Sequence, residues 1–225
     1  MLANVELLYT AHVPAGDGPF PTVFLLHGWG ASAHDLIGLA PILHGGRALV
    51  LCPQGPVALQ PGPGMIGYGW FPLEPNRAPD PTAIRMAQGL IEIFIADACE
   101  KYPVDRTKIV LAGFSQGGFM AYQIALSDPA RFAGLMALSS WLPAEIAERI
   151  APQPAHAALQ TLVIHGSKDP MVAIDRAYAS RDALLRLKVP TVFREYEMAH
   201  EIRPEALREI VGWLEQKVFE PVSIA

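Results

Sequence analysis

The strongest chemical signal in the chain is Gly113-Phe114-Ser115-Gln116-Gly117. A serine with glycines two residues to either side suits a sharp strand-to-helix turn, where larger side chains would meet neighbouring backbone and the serine Oγ projects. The run before it, Lys108–Ala112 (KIVLA), has the composition of a buried strand, and the segment after it reads as a helix. Ser115 is therefore the expected nucleophile. A serine hydroxyl attacks poorly unless a base takes its proton, and the base needs a carboxylate to orient it. For a nucleophile on such a turn the chain order is serine, acid, histidine. Three histidines follow Ser115: His156, His165 and His200. His156 falls in a Pro/Ala-rich segment of surface character, and His165 precedes any suitable acid. His200 follows the apolar run Thr191–Tyr196 by four residues, at the start of a loop, and is the expected base. Asp169, just past the run that ends at His165, is the expected acid, while Asp128 and Asp175 read as residues that cap or open helices.

Acyl transfer also needs donors preorganised for the developing oxyanion, commonly two backbone N–H groups. One should come from Gln116, the residue after the nucleophile. The other is expected from Trp29 in His27-Gly28-Trp29-Gly30, whose glycines let backbone approach a ligand closely. His27 reads as a residue that hydrogen-bonds loop backbone rather than as a catalytic group.

These residues need elements that hold them in place. Thr22–Leu26, Ala48–Cys52, Lys108–Ala112, Gly134–Leu138, Leu162–His165 and Thr191–Tyr196 read as strands, and all but the last are nearly continuous in apolar residues, as strands covered on both faces should be. Asn4–Tyr9 reads as an additional edge strand. Ser32-Ala33-His34-Asp35 resembles a capping box ahead of Leu36, Leu39, Ala40 and Leu43, and Asp80-Pro81 supplies a cap and a first-turn proline ahead of Ile84, Ala87, Ile91, Phe94 and Ala98. Pro204 opens a last helix with Leu207, Ile210, Val211 and Leu214 on one face. Strands alternating with helices predict a three-layer α/β sandwich around a mostly parallel sheet, in one domain over residues 1–225. Ligands in such sheets bind beyond the carboxyl ends of the strands, where Trp29, Ser115, Asp169 and His200 all fall. Residues 53–81 break the rhythm, with eight prolines and five glycines in 29 residues, too many for much regular structure. The apolar Met65, Ile66, Tyr68, Trp70 and Phe71 at its centre predict a folded excursion beside the site.

Composition narrows the function classes. Apolar residues make up 51% of the 225 and charged ones 17%, so a disordered chain is excluded. A net charge of −5 leaves no electrostatic footprint for nucleic acid. The uncharged stretches Ile109 to Ser127 and Ala48 to Leu73 are broken by glycines or prolines, and neither resembles a membrane span. The start of the chain lacks the basic region of a signal peptide. Two cysteines, Cys52 and Cys99, are too few for a disulfide scaffold and are expected to be reduced core residues of a cytoplasmic protein. No pair of histidines has H-x-x-x-H spacing and there is no P-loop, so neither a metal nor a nucleotide cofactor is expected. The oligomeric state is left open, a homodimer included.

Leu26-His27-Gly28-Trp29-Gly30, Gly113-Phe114-Ser115-Gln116-Gly117-Gly118, His165-Gly166 with Asp169, and Met198-Ala199-His200-Glu201-Ile202 resemble the phospholipase/carboxylesterase family of α/β-hydrolases, the branch with bacterial carboxylesterases and acyl-protein thioesterases. The resemblance runs from about residue 20 to the C-terminus. It implies hydrolysis of carboxylic esters or thioesters through an acyl-enzyme on Ser115, with Asp169 and His200 completing the triad; the small to medium acyl size is expected from the apolar side chains named below. This chain has Pro72 where relatives commonly carry Asp after the tryptophan and aromatic residue, Met198-Ala199 in place of a glycine-containing turn, and Trp29 where the eukaryotic thioesterases usually carry leucine. None of these touches the triad. Trp29, Met65, Trp70 and Phe71 are the expected substrate-binding side chains, and with no basic run beside them they suit an uncharged or weakly charged ester. A cofactor-free perhydrolase on the same triad and a binding module with a vestigial triad are the competing readings.

Overall fold

The apolar runs of the sequence become the strands of a central sheet in a computed structural model that describes residues 6–74 and 77–219. In chain order these are β1 (Tyr9–His12), β2 (Phe20–Leu26) and β3 (Leu49–Pro53), then, beyond a separate hairpin of β4 (Val57–Gly62) and β5 (Met65–Gly69), β6 (Val104–Phe114), β7 (Gly134–Leu138), β8 (Gln160–Gly166) and β9 (Thr191–Tyr196). Among the described residues the sheet has seven strands, in the order β1-β3-β2-β6-β7-β8-β9. β1 pairs antiparallel with β3, and every other neighbouring pair is parallel. The helices are α1 (Pro81–Lys101), α2 (Gln116–Ser127), the single turn α3 (Ala144–Ala147), α4 (Ile174–Arg186) and α5 (Pro204–Trp213).

Alternation along each strand divides the core into two. On β2, Phe24 and Leu26 face the layer that contains α1, α2 and α4, while Val23 and Leu25 face α5 and the segment after β2. Both faces are covered, which is why these runs are nearly continuous in apolar residues rather than alternating with polar ones. Each fully buried side chain of this kind contributes on the order of 1.5–3 kcal/mol. The helix signals act as expected in α1, where Asp80 caps the helix by accepting the Thr82 N–H at 2.8 Å. Cys52 is buried at the end of β3, and burial pushes its thiol up to about 12, which makes it an inert core residue; the half-buried Cys99 is raised for the same reason.

Four expectations need correction. The edge strand lies at Tyr9–His12 instead of Asn4–Tyr9; Glu6 to Leu8 are not in a strand, and Asn4 and Val5 lie outside the described residues. The capping box at Ser32 opens no α-helix. Only two 3-10 turns follow, Ile37–Leu39 and Leu43–Gly46, because Pro41 lacks an N–H and its ring clashes with the carbonyl four residues back. The segment still buries Leu36, Ala40 and Leu43 against the sheet. His156, expected at the surface, is buried, its Nε2 donating to Leu126 O at 3.0 Å while Nδ1 accepts the Gln153 N–H at 2.9 Å. Finally, the Pro/Gly-rich stretch 53–81 holds a regular hairpin, with Gly64 in its turn at φ +71°. Most of the prolines and glycines fall at its turn and ends; Gly67, at the centre of β5, pairs with Leu59, and the register shifts between Leu59 and Gly62. Tyr68 docks the hairpin onto the loop after β2: its carbonyl accepts the Gly30 N–H and its N–H donates to Ala31 O, both at 2.8 Å.

Candidate active site

Ser115 sits between β6 and α2 with φ +53° and ψ −117°, a backbone conformation that a residue with a Cβ rarely adopts. The turn is held on three sides. Ser115 N–H donates to Leu138 O at 2.9 Å, and Ser115 O accepts the Phe119 N–H at 3.1 Å and the Ser140 hydroxyl at 2.7 Å. The flanking glycines are required by close approach: a Cβ on Gly113 would lie 2.2 Å from the Gly117 carbonyl carbon, and one on Gly117 would lie 2.1 Å from Leu26 O. The second contact seats the start of α2 on the end of β2. It also brings Gly28 alongside the serine, where an added Cβ would lie 3.4 Å from Ser115 Cβ.

Asp169 and His200 are brought together by the loops after β8 and β9. Ser167 N–H donates to Tyr196 O at 2.8 Å and Lys168 N–H to Met198 O at 3.1 Å, which locks one loop to the other. His200 Nδ1 then meets Asp169 Oδ2 at 2.7 Å. Asp169 Oδ1 accepts two backbone donors, Met171 N–H at 2.8 Å and Val172 N–H at 2.9 Å, so the buried carboxylate cannot rotate away from the imidazole. On the other side the His200 ring packs on Phe114, the residue before Ser115, with ring centroids 4.8 Å apart. His200 is thus wedged between the turn that carries Ser115 and the Asp169 carboxylate. Asp175 sits exposed in the first turn of α4, and Asp128 ends α2.

Two further histidines act through backbone. Acceptance by a carbonyl fixes the proton on the ring nitrogen that donates, so His27 carries its proton on Nδ1, which donates to Gly28 O at 2.7 Å, while Nε2 accepts the Gly55 N–H at 2.9 Å. The expectation that His27 bonds loop backbone holds. His165 carries its proton on Nε2, which donates to Val172 O at 2.8 Å and lies 3.6 Å from Asp169 Oδ2. Sequence reasoning set His165 aside because it precedes the acid; its position four residues before Asp169, at a strand end, was the available signal.

Burial pushes the pKa of both His27 and His165 below the usual histidine value. A histidine depressed in the folded state contributes stability that is complete above its unfolded pKa of about 6.5 and is lost as pH falls from there through the folded value, because the unfolded chain takes up protons first. The thermal midpoint is therefore expected to drop between about pH 7 and pH 5, and less steeply in His165→Gln, measured by scanning fluorimetry across that range. Equal slopes in wild type and variant would refute a stabilising role for the neutral ring.

The expected substrate-binding residues divide. Trp29 is 41% exposed and Met65 61%, but Trp70 and Phe71 are fully buried. Trp70 stacks near His27 with centroids 5.2 Å apart and Phe71 packs on Phe119 at 5.0 Å, so both face protein rather than solvent. The Gln116 side chain, which sequence reasoning did not consider, is buried too: Oε1 accepts the Trp70 N–H and Nε2 donates to Phe71 O, each at 2.8 Å. Among the described residues no cluster of side chains could hold a metal ion, and no helix is long and apolar enough to cross a membrane.

The sheet order, the parallel strands and the strained turn at the end of β6 define an α/β-hydrolase. The model of the phospholipase/carboxylesterase family matches residues 10–218, and the chain belongs to that family. It is 28% identical to acyl-protein thioesterase 1 of Gibberella zeae and 29% identical to that of Mycosarcoma maydis, in both cases over 91% of this chain and 94% of the relative. Among solved structures it is similar to the esterase PE8, with a TM-score of 0.78 and 25% identity over 95% of this chain and all of that one. The carboxylesterase from Mesorhizobium loti shares the fold with a TM-score of 0.80 at 20% identity, over 96% of this chain and 97% of the other. The chain is accordingly a serine hydrolase of esterase type.

Proposed function

We propose that the protein hydrolyses small to medium acyl esters or thioesters through Ser115, His200 and Asp169. The observation that carries this reading is the 2.7 Å bond between His200 Nδ1 and Asp169 Oδ2 beside the strained turn that presents Ser115. A donor at Nδ1 leaves the neutral imidazole with a free lone pair at Nε2, the state a general base needs. Ser115 Oγ adds to the acyl carbonyl as Nε2 takes its proton. The tetrahedral oxyanion is met by the backbone N–H groups of Trp29 and Gln116, on the two segments that Gly28 and Gly117 bring together. Collapse breaks the bond to the alcohol or thiol, which leaves with the proton from His200. Water then repeats the sequence on the acyl-enzyme and releases the acid. No step calls on a cofactor. The free Cys52 and Cys99 support a reducing, cytoplasmic setting.

Trp29, whose own backbone N–H is the proposed donor, is exposed and offers apolar surface to the acyl group. Burial of a methylene is worth up to about 0.8 kcal/mol, so kcat/KM across esters of graded chain length should rise by up to about fifteenfold per two carbons until the pocket ends. Hydrolysis assays over ester and thioester series test the reaction and its preference together. Trp29→Ala is expected to move the optimum to longer chains and leave the pH profile unchanged. The same optimum in the variant would place the acyl pocket elsewhere.

A further inference from the structure

We infer that Trp70 is a positioning residue that sets the geometry of the oxyanion hole by bracing its two halves against each other, an inference that rests on the catalytic reading of Ser115. Three observations carry it. The Trp70 backbone N–H donates to Gln116 Oε1 at 2.8 Å, and the Gln116 Nε2 donates to Phe71 O at 2.8 Å, so the side chain of the residue after the nucleophile grips two consecutive backbone positions. From the same residue, the indole Nε1–H donates to His27 O at 2.9 Å. The His27 ring, stacked beside that indole, donates in turn to Gly28 O at 2.7 Å.

Peptide planarity turns these bonds into control of the donors. The Gly28 C=O and the Trp29 N–H belong to one rigid plane and point in opposite directions, so fixing the carbonyl aims the N–H. The plane before it, His27 to Gly28, is fixed by the indole. On the opposite half, the Ser115–Gln116 plane is fixed by Ser140 Oγ on Ser115 O at 2.7 Å. What remains is the spacing between the halves, and Trp70 spans it, with one bond to each. Trp70, Gln116 and His27 are each 1% exposed, so neither water nor substrate competes for these bonds. Donors of an oxyanion hole act only if they stand where the oxygen will be in the transition state, and small displacements cost rate rather than ground-state binding.

Trp70→Phe keeps most of the packing and removes the bond to His27 O. A second variant carries 3-benzothienylalanine at position 70, an isostere in which sulfur replaces the indole N–H, and tests the bond with the shape kept even if the first variant folds poorly. The readouts are kcat, KM, the pH profile, and affinity for a trifluoromethyl ketone, which adds Ser115 to form a tetrahedral oxyanion, against the matching trifluoromethyl carbinol, which cannot. Both variants should lose on the order of ten- to a hundredfold in kcat, with KM and carbinol affinity within about twofold of wild type. Ketone affinity should fall by the same factor as kcat, and the pH profile should keep its shape because His200 and Asp169 are untouched. A raised KM with unchanged kcat would make Trp70 a substrate wall and overturn the brace. A kcat loss without a parallel loss of ketone affinity, or variants as active as wild type, would overturn it equally. Wild-type protein that neither hydrolyses esters nor takes the ketone overturns the catalytic reading and the brace with it, so the two failures are distinct.

Discussion

Ser115→Ala is expected to lower kcat/KM by roughly four to six orders of magnitude, because the proposed acyl-enzyme forms on the hydroxyl it removes. The fold should survive. Ser115 is half-buried, its backbone bonds to Leu138, Phe119 and Ser140 do not involve its side chain, and alanine carries the same Cβ into the same φ of +53°. A stability change within about 0.5 kcal/mol is expected for such a change. Ser115→Gly separates chemistry from strain. It should be as inactive as the alanine variant but more stable than wild type by about 1 kcal/mol, since only glycine adopts this conformation without penalty. Chemical denaturation and ester hydrolysis on the three proteins read both effects, and a fluorophosphonate probe should label wild type alone. Labelling of another serine, or residual turnover within tenfold of wild type, would sink the assignment of Ser115.

Asp169→Asn is the second large effect, and the hydrogen bonds of Asp169 determine its mechanism. Oδ1 accepts two backbone N–H groups, Met171 and Val172, so in the variant the amide oxygen must stay on that side and the NH2 must face His200. An NH2 opposite Nδ1 requires a lone pair there, which moves the imidazole proton to Nε2. His200, the proposed base, then meets Ser115 with a proton already in place. A loss of about 10⁴ in kcat is expected, with KM little changed. Asp175→Asn, on the exposed first turn of α4, should behave as wild type. Near-normal kinetics in Asp169→Asn would move the acid elsewhere; Ser115 labelling by the probe would then show whether the nucleophile still stands.

Sequence alone determined the parts of this protein whose cause is local. Glycine at 113 marks a turn because the obstruction a side chain would meet lies in the helix the turn itself opens, at Gly117 only four residues away, whereas the glycine at 117 answers to Leu26 O on β2 and its cause is tertiary. Continuous apolar runs mark strands covered on both faces because burial acts on every residue of the run, and chain order then put Ser115, Asp169 and His200 at strand ends. Tertiary structure decided the parts whose cause lies far along the chain. Ser32 has the chemistry of a helix cap, and although the nearby Pro41 already denies the helix, it is the distant strands of the sheet that hold Leu36, Ala40 and Leu43 buried from short turns. The Pro/Gly composition of residues 53–81 hid a hairpin that docks through Tyr68 onto Gly30 and Ala31, a partner nearly forty residues away. His156 looked like a surface residue until the Leu126 carbonyl, thirty residues back, supplied its buried partner. Trp70 shows the difference most directly. Its aromatic type pointed to substrate, but its one side-chain donor is taken by the His27 carbonyl and its backbone by Gln116, a pairing over 43 and 46 residues that no local pattern encodes. Hydrophobic periodicity reports how much of a residue is buried; which groups it is buried against depends on how the loops at the strand ends pack over one another.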